Sequence, residues 1–214
     1  MAAKLSELRG RVYDALAEFP SEGFFTTIEI DRAINEGMLA VAMALRPLEG
    51  EAGLPFSVGQ ESAPKPPDVI HIFEAHTDQT VLKPVTLMHL ANLDPAWRSR
   101  PNGVPEYWYE FANNIYVWPR PASPTTVTIM YSKRPQKLAN DDDLSPYDEE
   151  LDNLVVLYAV WSAALKDASS QEMINRANAY MQKYNAMLQM LATMRARDMN
   201  RPVGKIRVDR SVAS

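Results

Sequence analysis

The sequence predicts an α+β chain: a helical bundle made of N- and C-terminal helix pairs, with an inserted small antiparallel β domain. Thirteen of the sixteen prolines lie between Pro47 and Pro135, so both flanks are almost free of the residue that breaks helices. In those flanks apolar residues recur every three or four positions, the period of a helix that buries one face. Between them, short runs of β-branched and aromatic residues carry the signature of strands. At 214 residues and 46% apolar content, the chain suffices for one substantial core or for two small modules sharing a seam.

The bundle is expected over 1–47 and 145–198. Leu5, Leu8, Val12, Leu16 and Phe19 form the stripe of the first helix, which Pro20 and Gly23 end. Thr26 with Glu29 is a capping box, each side chain satisfying a backbone donor of the other. Ile30, Ile34, Met38, Val41 and Leu45 then mark the second helix, closed by Pro47. Residues 48–67 read as an irregular Pro/Gly-rich loop, with four prolines, three glycines and no apolar periodicity over 49–67. The β domain, 68–135, is read as strands at 69–73, 80–90, 107–111, 115–118 and 125–131. Asn113 and Asn114 suit a tight hairpin because asparagine tolerates positive φ, and Pro84 places the second strand at an edge or splits it.

In the C-terminal flank, Ser145 is the expected cap, with Pro146 at the first helical position and Asp148, Glu149 and Glu150 at the positive end of the dipole. Leu151, Leu154, Val155, Tyr158, Trp161, Ser162 and Leu165 face inward. Ser169 with Glu172 repeats the capping pattern for a helix reaching Met199, on the order of 40 Å long. Its stripe is Ala177, Tyr180, Tyr184, Met187, Leu191 and Met194, broadened by Ile174, Met181 and Leu188. Six of the eleven methionines lie between Met173 and Met199. Two readings stay open for them: a loosely specified core, or a subunit-facing surface that repacks. Residues 199–214 read as an extended basic tail.

Charge and composition narrow the chemistry. The formal charge is −5, yet from Arg195 onward six basic and two acidic residues give +4, leaving −9 on the body. A basic end on an acidic body is either a docking element or a solvated terminus. The chain has no cysteine, which removes disulfides, thiolate metal sites and cysteine nucleophiles, and fits a reducing cytoplasm. No apolar run reaches the roughly 20 residues of a membrane span, and residues 1–11 build no signal-peptide core, so the chain is expected to stay where it is made.

No constellation reads as an active site. His71, His76 and His89 fall in the strand region with nothing to fix them around one ion. Asp141, Asp142 and Asp143 lack the alternate spacing of a calcium loop and read as a solvated acidic loop. There is no phosphate loop, nucleophile elbow or HExxH. Tyr107, Trp108, Tyr109, Tyr116 and Trp118 form the densest aromatic cluster. Alternation puts Trp108 opposite Tyr107 and Tyr109, and Glu106 and Glu110 would repel a phosphate backbone. Hence no catalytic residue, cofactor or metal site is expected.

A resemblance enters through particular segments. Gly103-Val104-Pro105-Glu106-Tyr107-Trp108-Tyr109 is followed by Asn114-Ile115-Tyr116-Val117-Trp118-Pro119-Arg120-Pro121, by Val127-Thr128-Ile129-Met130-Tyr131, and by Pro135 with Leu138. Ile34-Asn35-Glu36-Gly37 precedes them; Tyr158-Ala159 and Trp161-Ser162-Ala163-Ala164 follow the acidic loop. Together these resemble the head-to-tail adaptor, or head-completion, proteins of tailed bacteriophages. The resemblance covers most of 24–165 and names no active site; the 49–67 segment is longer than that family leads one to expect.

The resemblance implies a homo-oligomeric ring, commonly of twelve copies, at the head–tail junction of the virion. The ring would be made in the host cytoplasm, sit beneath the portal protein, and receive the tail tube or nozzle protein. Genomic DNA would pass through without sequence-specific binding, and an acidic body suits such a lumen. The alternating Val203, Ile206 and Val208 can extend against a partner, making Arg201, Lys205, Ile206, Arg207, Val208 and Arg210 the expected portal-docking residues. Tyr107, Trp108, Met187 and Met194 are the candidate subunit or tail interface. The alternatives are a tail-associated protein- or carbohydrate-binding module, and an enzyme with an unrecognised site.

Overall fold

The computed structural model describes residues 2–17, 24–167 and 171–199. Five α-helices and a seven-stranded mixed sheet lie within them, so the chain is α+β. Phe19, Pro20, Gly23, Ser169 and the tail from residue 200 lie outside the described residues.

Helix α1 (Leu5–Leu16) and helix α2 (Thr27–Leu45) follow their predicted stripes. The Thr26 capping box is present: the Glu29 N–H donates to Thr26 Oγ1 (3.4 Å) and the Thr26 N–H to Glu29 Oε2 (3.0 Å). After the sheet come α4 (Glu149–Ala164) and α5 (Gln171–Met199), with α3 (Leu87–Leu93) lying within the sheet region. Buried side chains of α1, α2, α4 and α5 belong to one hydrophobic cluster, the outcome expected when each stripe needs an apolar partner. On α5, Ala177, Tyr184 and Leu191 are buried at seven-residue steps, with Met173, Tyr180 and Met187 partly buried four residues before each. This is the narrow seam by which one long helix lies along others. Two α5 arginines close neighbouring helices: Arg176 Nη1 donates to the Leu16 carbonyl (2.7 Å) and Arg195 Nη1 to the Leu45 carbonyl (3.0 Å). They satisfy carbonyls that the ends of α1 and α2 leave without helical donors.

The strands are β1 (Glu49–Phe56), β2 (Ser62–Pro64), β3 (Val69–His76), β4 (Val81–Pro84), β5 (Tyr107–Phe111), β6 (Asn114–Trp118) and β7 (Thr125–Lys133). They lie in the order β1-β7-β3-β4-β5-β6-β2. All seven contribute to one core, separate from that of the helices, and the two edge strands approach one another. The sheet is therefore curled, with β1 and β7 on the wall opposite β5 and β6.

Five expectations are corrected. The segment 48–67 is not an irregular loop but holds β1 and β2. The alternation Ala52, Leu54, Phe56 points into the sheet core, and Pro55 is tolerated because β1 pairs on one side only, with β7. The run 80–90 is not one strand: β4 stops at Pro84, and Thr86 caps α3 through the His89 N–H (3.2 Å), so His89 is helical. The β domain is not wholly antiparallel, since β4 and β5 run parallel. Asp148 and not Ser145 caps α4, accepting from the Leu151 N–H (3.0 Å). Ser145 instead donates to the buried Asp152 (2.5 Å) and accepts from the Tyr147 N–H (3.2 Å). The β5–β6 hairpin sits one residue earlier than read, with Ala112 and Asn113 at φ 47° and 65°.

Candidate functional site: interaction surfaces

Strand alternation gives β5 two buried faces. Trp108 enters the sheet core, and its Nε1 has no partner among the described residues. Tyr107 and Tyr109, with Tyr116 and Trp118 of β6, stand on the other face, covered by α3 and the single turn Trp97–Ser99. Tyr109 and Tyr116 stack at 4.9 Å, Trp97 meets Tyr109 edge-on at 6.5 Å, and Trp118 Nε1 donates to the Trp97 carbonyl (3.1 Å). Burial, with Glu61 nearby, pushes the Tyr109 hydroxyl up to about 12.

Two arginines lie over this aromatic layer, and a third, Arg120, braces one of them. Arg98 sits 4.6 Å from the Trp97 ring and Arg100 5.2 Å from the Trp118 ring. Arg120 Nη2 donates to the Arg98 carbonyl (2.7 Å), and Arg100 pairs with Asp94 (3.2 Å). A cleft of about 260 Å3 opens among Glu61, Trp97, Arg98, Trp118 and Arg120. Guanidinium groups resting on buried rings hold their planar donors outward with little freedom to lose. Arginine, tryptophan and tyrosine are the residues that dominate binding energy at interfaces. Sequence reasoning missed Trp97, Arg98, Arg100 and Arg120. The signal was the Trp97-Arg98-Ser99-Arg100 run, between the expected strands 80–90 and 107–111.

The opposite wall is open. On the outer face of β1, β7 and β3, Met130 lies between Glu51 and Glu74, and Ser132 between Glu49 and His71. The three glutamates, Met130 and Phe73 are exposed, Phe73 standing where the β3 register breaks between Ile72 and Glu74. Ser132 is fully buried, yet its hydroxyl has no partner among the described residues. Burial, reinforced by Arg46, lowers the His71 imidazole below its ordinary range.

Of the residues singled out from the sequence, Tyr107 is half-buried, Trp108 buried, and Met187 partly buried against the helical core. Met194 is 51% exposed, and Met181 and Met190 are exposed as well, so the methionines divide between core and surface. The structure does not bring Tyr107 and Trp108 together with the methionines. Arg201, Lys205, Ile206, Arg207, Val208 and Arg210 lie outside the described residues.

The acidic run is a clasp. Lys4 pairs with Asp142 (2.7 Å), Arg9 with both Asp31 (2.8 Å) and Asp141 (2.9 Å), and Asp143 accepts from the Ala139 N–H (2.7 Å) and the Asn140 N–H (2.9 Å). Those backbone bonds hold the Asp143 carboxyl below its ordinary range. Among the described residues no group of three His, Asp or Glu is placed to hold a metal ion, and no helix is long and apolar enough to cross a membrane.

The segments carrying the resemblance meet in space. The Gly103 N–H donates to the Arg120 carbonyl (2.7 Å) and the Ala122 N–H to the Gly103 carbonyl (2.9 Å). Asn35 brackets Leu138, donating to its carbonyl (3.0 Å) and accepting from its N–H (2.8 Å). Gly37 lies against Tyr158. A family model described as SU10 adaptor protein matches residues 3–207. No curated protein matches the sequence.

Proposed function

The chain belongs to the SU10 adaptor protein family, a family of bacteriophage adaptors, and we propose that it is a structural subunit of the ring joining portal to tail. The ring is a homo-oligomer, of twelve copies by the family resemblance, set at the head–tail junction of the virion. The portal protein lies on one side and the tail tube or nozzle protein on the other. The subunit works without catalysis, and DNA passes through the ring without sequence-specific contacts. A helical bundle built from both ends of the chain mounts the subunit, and the inserted sheet projects from it.

The observation that carries the reading is the extent of the match, 3–207, which spans the helical and the sheet cores alike. The acidic body supports it, because a positive lumen would exchange counterions for phosphate contacts and slow the passage of DNA. Native mass spectrometry of the full chain, alone and with assembled portal rings, tests it. The expected result is largely monomer alone and a closed ring on the portal, lost when residues 200–214 are removed while thermal unfolding of the subunit stays unchanged. A chain that never oligomerises on a portal ring would overturn the proposal. Complete complexes from the truncated chain would leave the ring intact and remove the tail as its docking element.

A further inference from the structure

We infer that neighbouring copies join head to tail through their sheets, the arginine layer over β5–β6 of one copy docking on the open glutamate face of β1, β7 and β3 of the next. The inference rests on the ring reading and supplies its subunit contact. The occupant is a second copy of this chain because the two surfaces complement one another in charge. One presents Arg98 on the Trp97 ring and Arg100 on the Trp118 ring, with Arg120 braced on the Arg98 carbonyl. The other presents Glu51 and Glu74 flanking Met130, with Phe73 exposed beside them.

Placement fixes the kind of assembly. In a curled sheet of order β1-β7-β3-β4-β5-β6-β2 the two surfaces lie on opposite walls. A contact between unlike surfaces on opposite sides of a subunit is heterologous; it repeats from copy to copy and closes into a ring when the rotation allows. A self-complementary contact would stop at a dimer. Because the pairs are between arginine and carboxylate at solvated surfaces, docking weakens as salt rises.

The absence of cysteine makes disulfide trapping clean. Ser99→Cys places a thiol beside Arg98, and Met130→Cys places one between Glu51 and Glu74. On mild oxidation at low salt, the full chain carrying both is expected to give a ladder of trimers and larger species, whereas either single variant gives nothing beyond dimer. As a second arm that leaves the trapping sites untouched, Arg98→Glu and Glu51→Arg chains are each expected to fail to ring on the portal alone and to recover when mixed, since alternating copies restore opposite charges at every contact. Doubly substituted protein that unfolds like the parent yet yields only monomer and dimer overturns the inference, as does a swapped pair that mixing does not rescue. If the unsubstituted chain still rings on the portal in that case, the ring reading stands and only this contact falls; if it does not, both fall.

Discussion

The same substitution at two helical glycines should move stability in opposite directions. Replacing glycine by alanine in a helix interior gains about 1 kcal/mol, because the backbone gives up less freedom on folding. Gly10 lies on the exposed side of α1, and a Cβ built there meets nothing within 4 Å. Gly10→Ala is therefore expected to realise the whole gain. Gly37 faces α4. A Cβ there falls 3.1 Å from Tyr158 Cδ1, 3.3 Å from Tyr158 Cβ and 3.1 Å from the Val155 carbonyl oxygen. The carbonyl cannot rotate away without opening α4, and Tyr158 is held edge-on by Trp161 (5.2 Å) and Tyr184 (5.7 Å). Overpacking of this kind costs about 1–3 kcal/mol, so after the helical gain a net loss of about 1 kcal/mol remains. For a chain of this size that shifts Tm by about 2–4 °C, upward for Gly10→Ala and downward for Gly37→Ala. Thermal and urea unfolding followed by helical circular dichroism measure both. A Gly37→Ala chain as stable as Gly10→Ala would refute the close α2–α4 approach.

Asn35→Ala leaves the Leu138 N–H and carbonyl without the partners that fasten α2 to the segment after β7. It is expected to cost about 2 kcal/mol in urea unfolding; an unchanged midpoint would show that the bracket holds nothing. Asp152 is buried, and that burial raises its carboxyl above the ordinary range despite the Ser145 hydrogen bond. An acid raised on folding is favoured in its neutral form, so the native state gains stability as pH falls through the folded value toward the unfolded one. The stability of the parent relative to Asp152→Asn should accordingly rise between neutral pH and about pH 4. A pH-independent difference between the two would contradict the assignment.

What the sequence disclosed was whatever periodicity encodes. The stripes of α1, α2, α4 and α5 were readable because a helix that buries one face must repeat every three to four residues. The Thr26 capping box was readable because its two partners are local. β1 was not, since Gly50, Gly53 and Pro55 match the composition of a loop. Only pairing with β7, distant in sequence, makes the segment a strand, and tertiary context overrides propensity most readily in sheets. Ser145 misled for a related reason. Its hydroxyl was claimed by Asp152, a carboxylate that burial leaves in need of a donor, so capping passed to Asp148. The arginine layer was only half legible, because the Trp97-Arg98-Ser99-Arg100 run shows in the sequence but its convergence with a second segment, Trp118 at the end of β6 and Arg120 just beyond it, does not.

The charged character of the two proposed contact surfaces suits the proposed assembly, in which copies stay separate until they meet the portal. An exposed arginine–carboxylate pair contributes about 0–1 kcal/mol, well short of the cost of immobilising two free proteins, which is about 4–15 kcal/mol. A single head-to-tail contact between free copies is therefore transient. In the proposed ring, each copy's attachment to the portal would already meet that cost, and closure would hold every copy from both sides. The second contact then forms at the effective concentration set by the platform, a gain of up to about 100–10,000-fold without any new chemistry. An apolar contact strong enough to join free copies would instead assemble rings away from the vertex. On this reasoning the proposed interface must be weak and salt-sensitive in isolation, and its strength must come from the geometry of the ring.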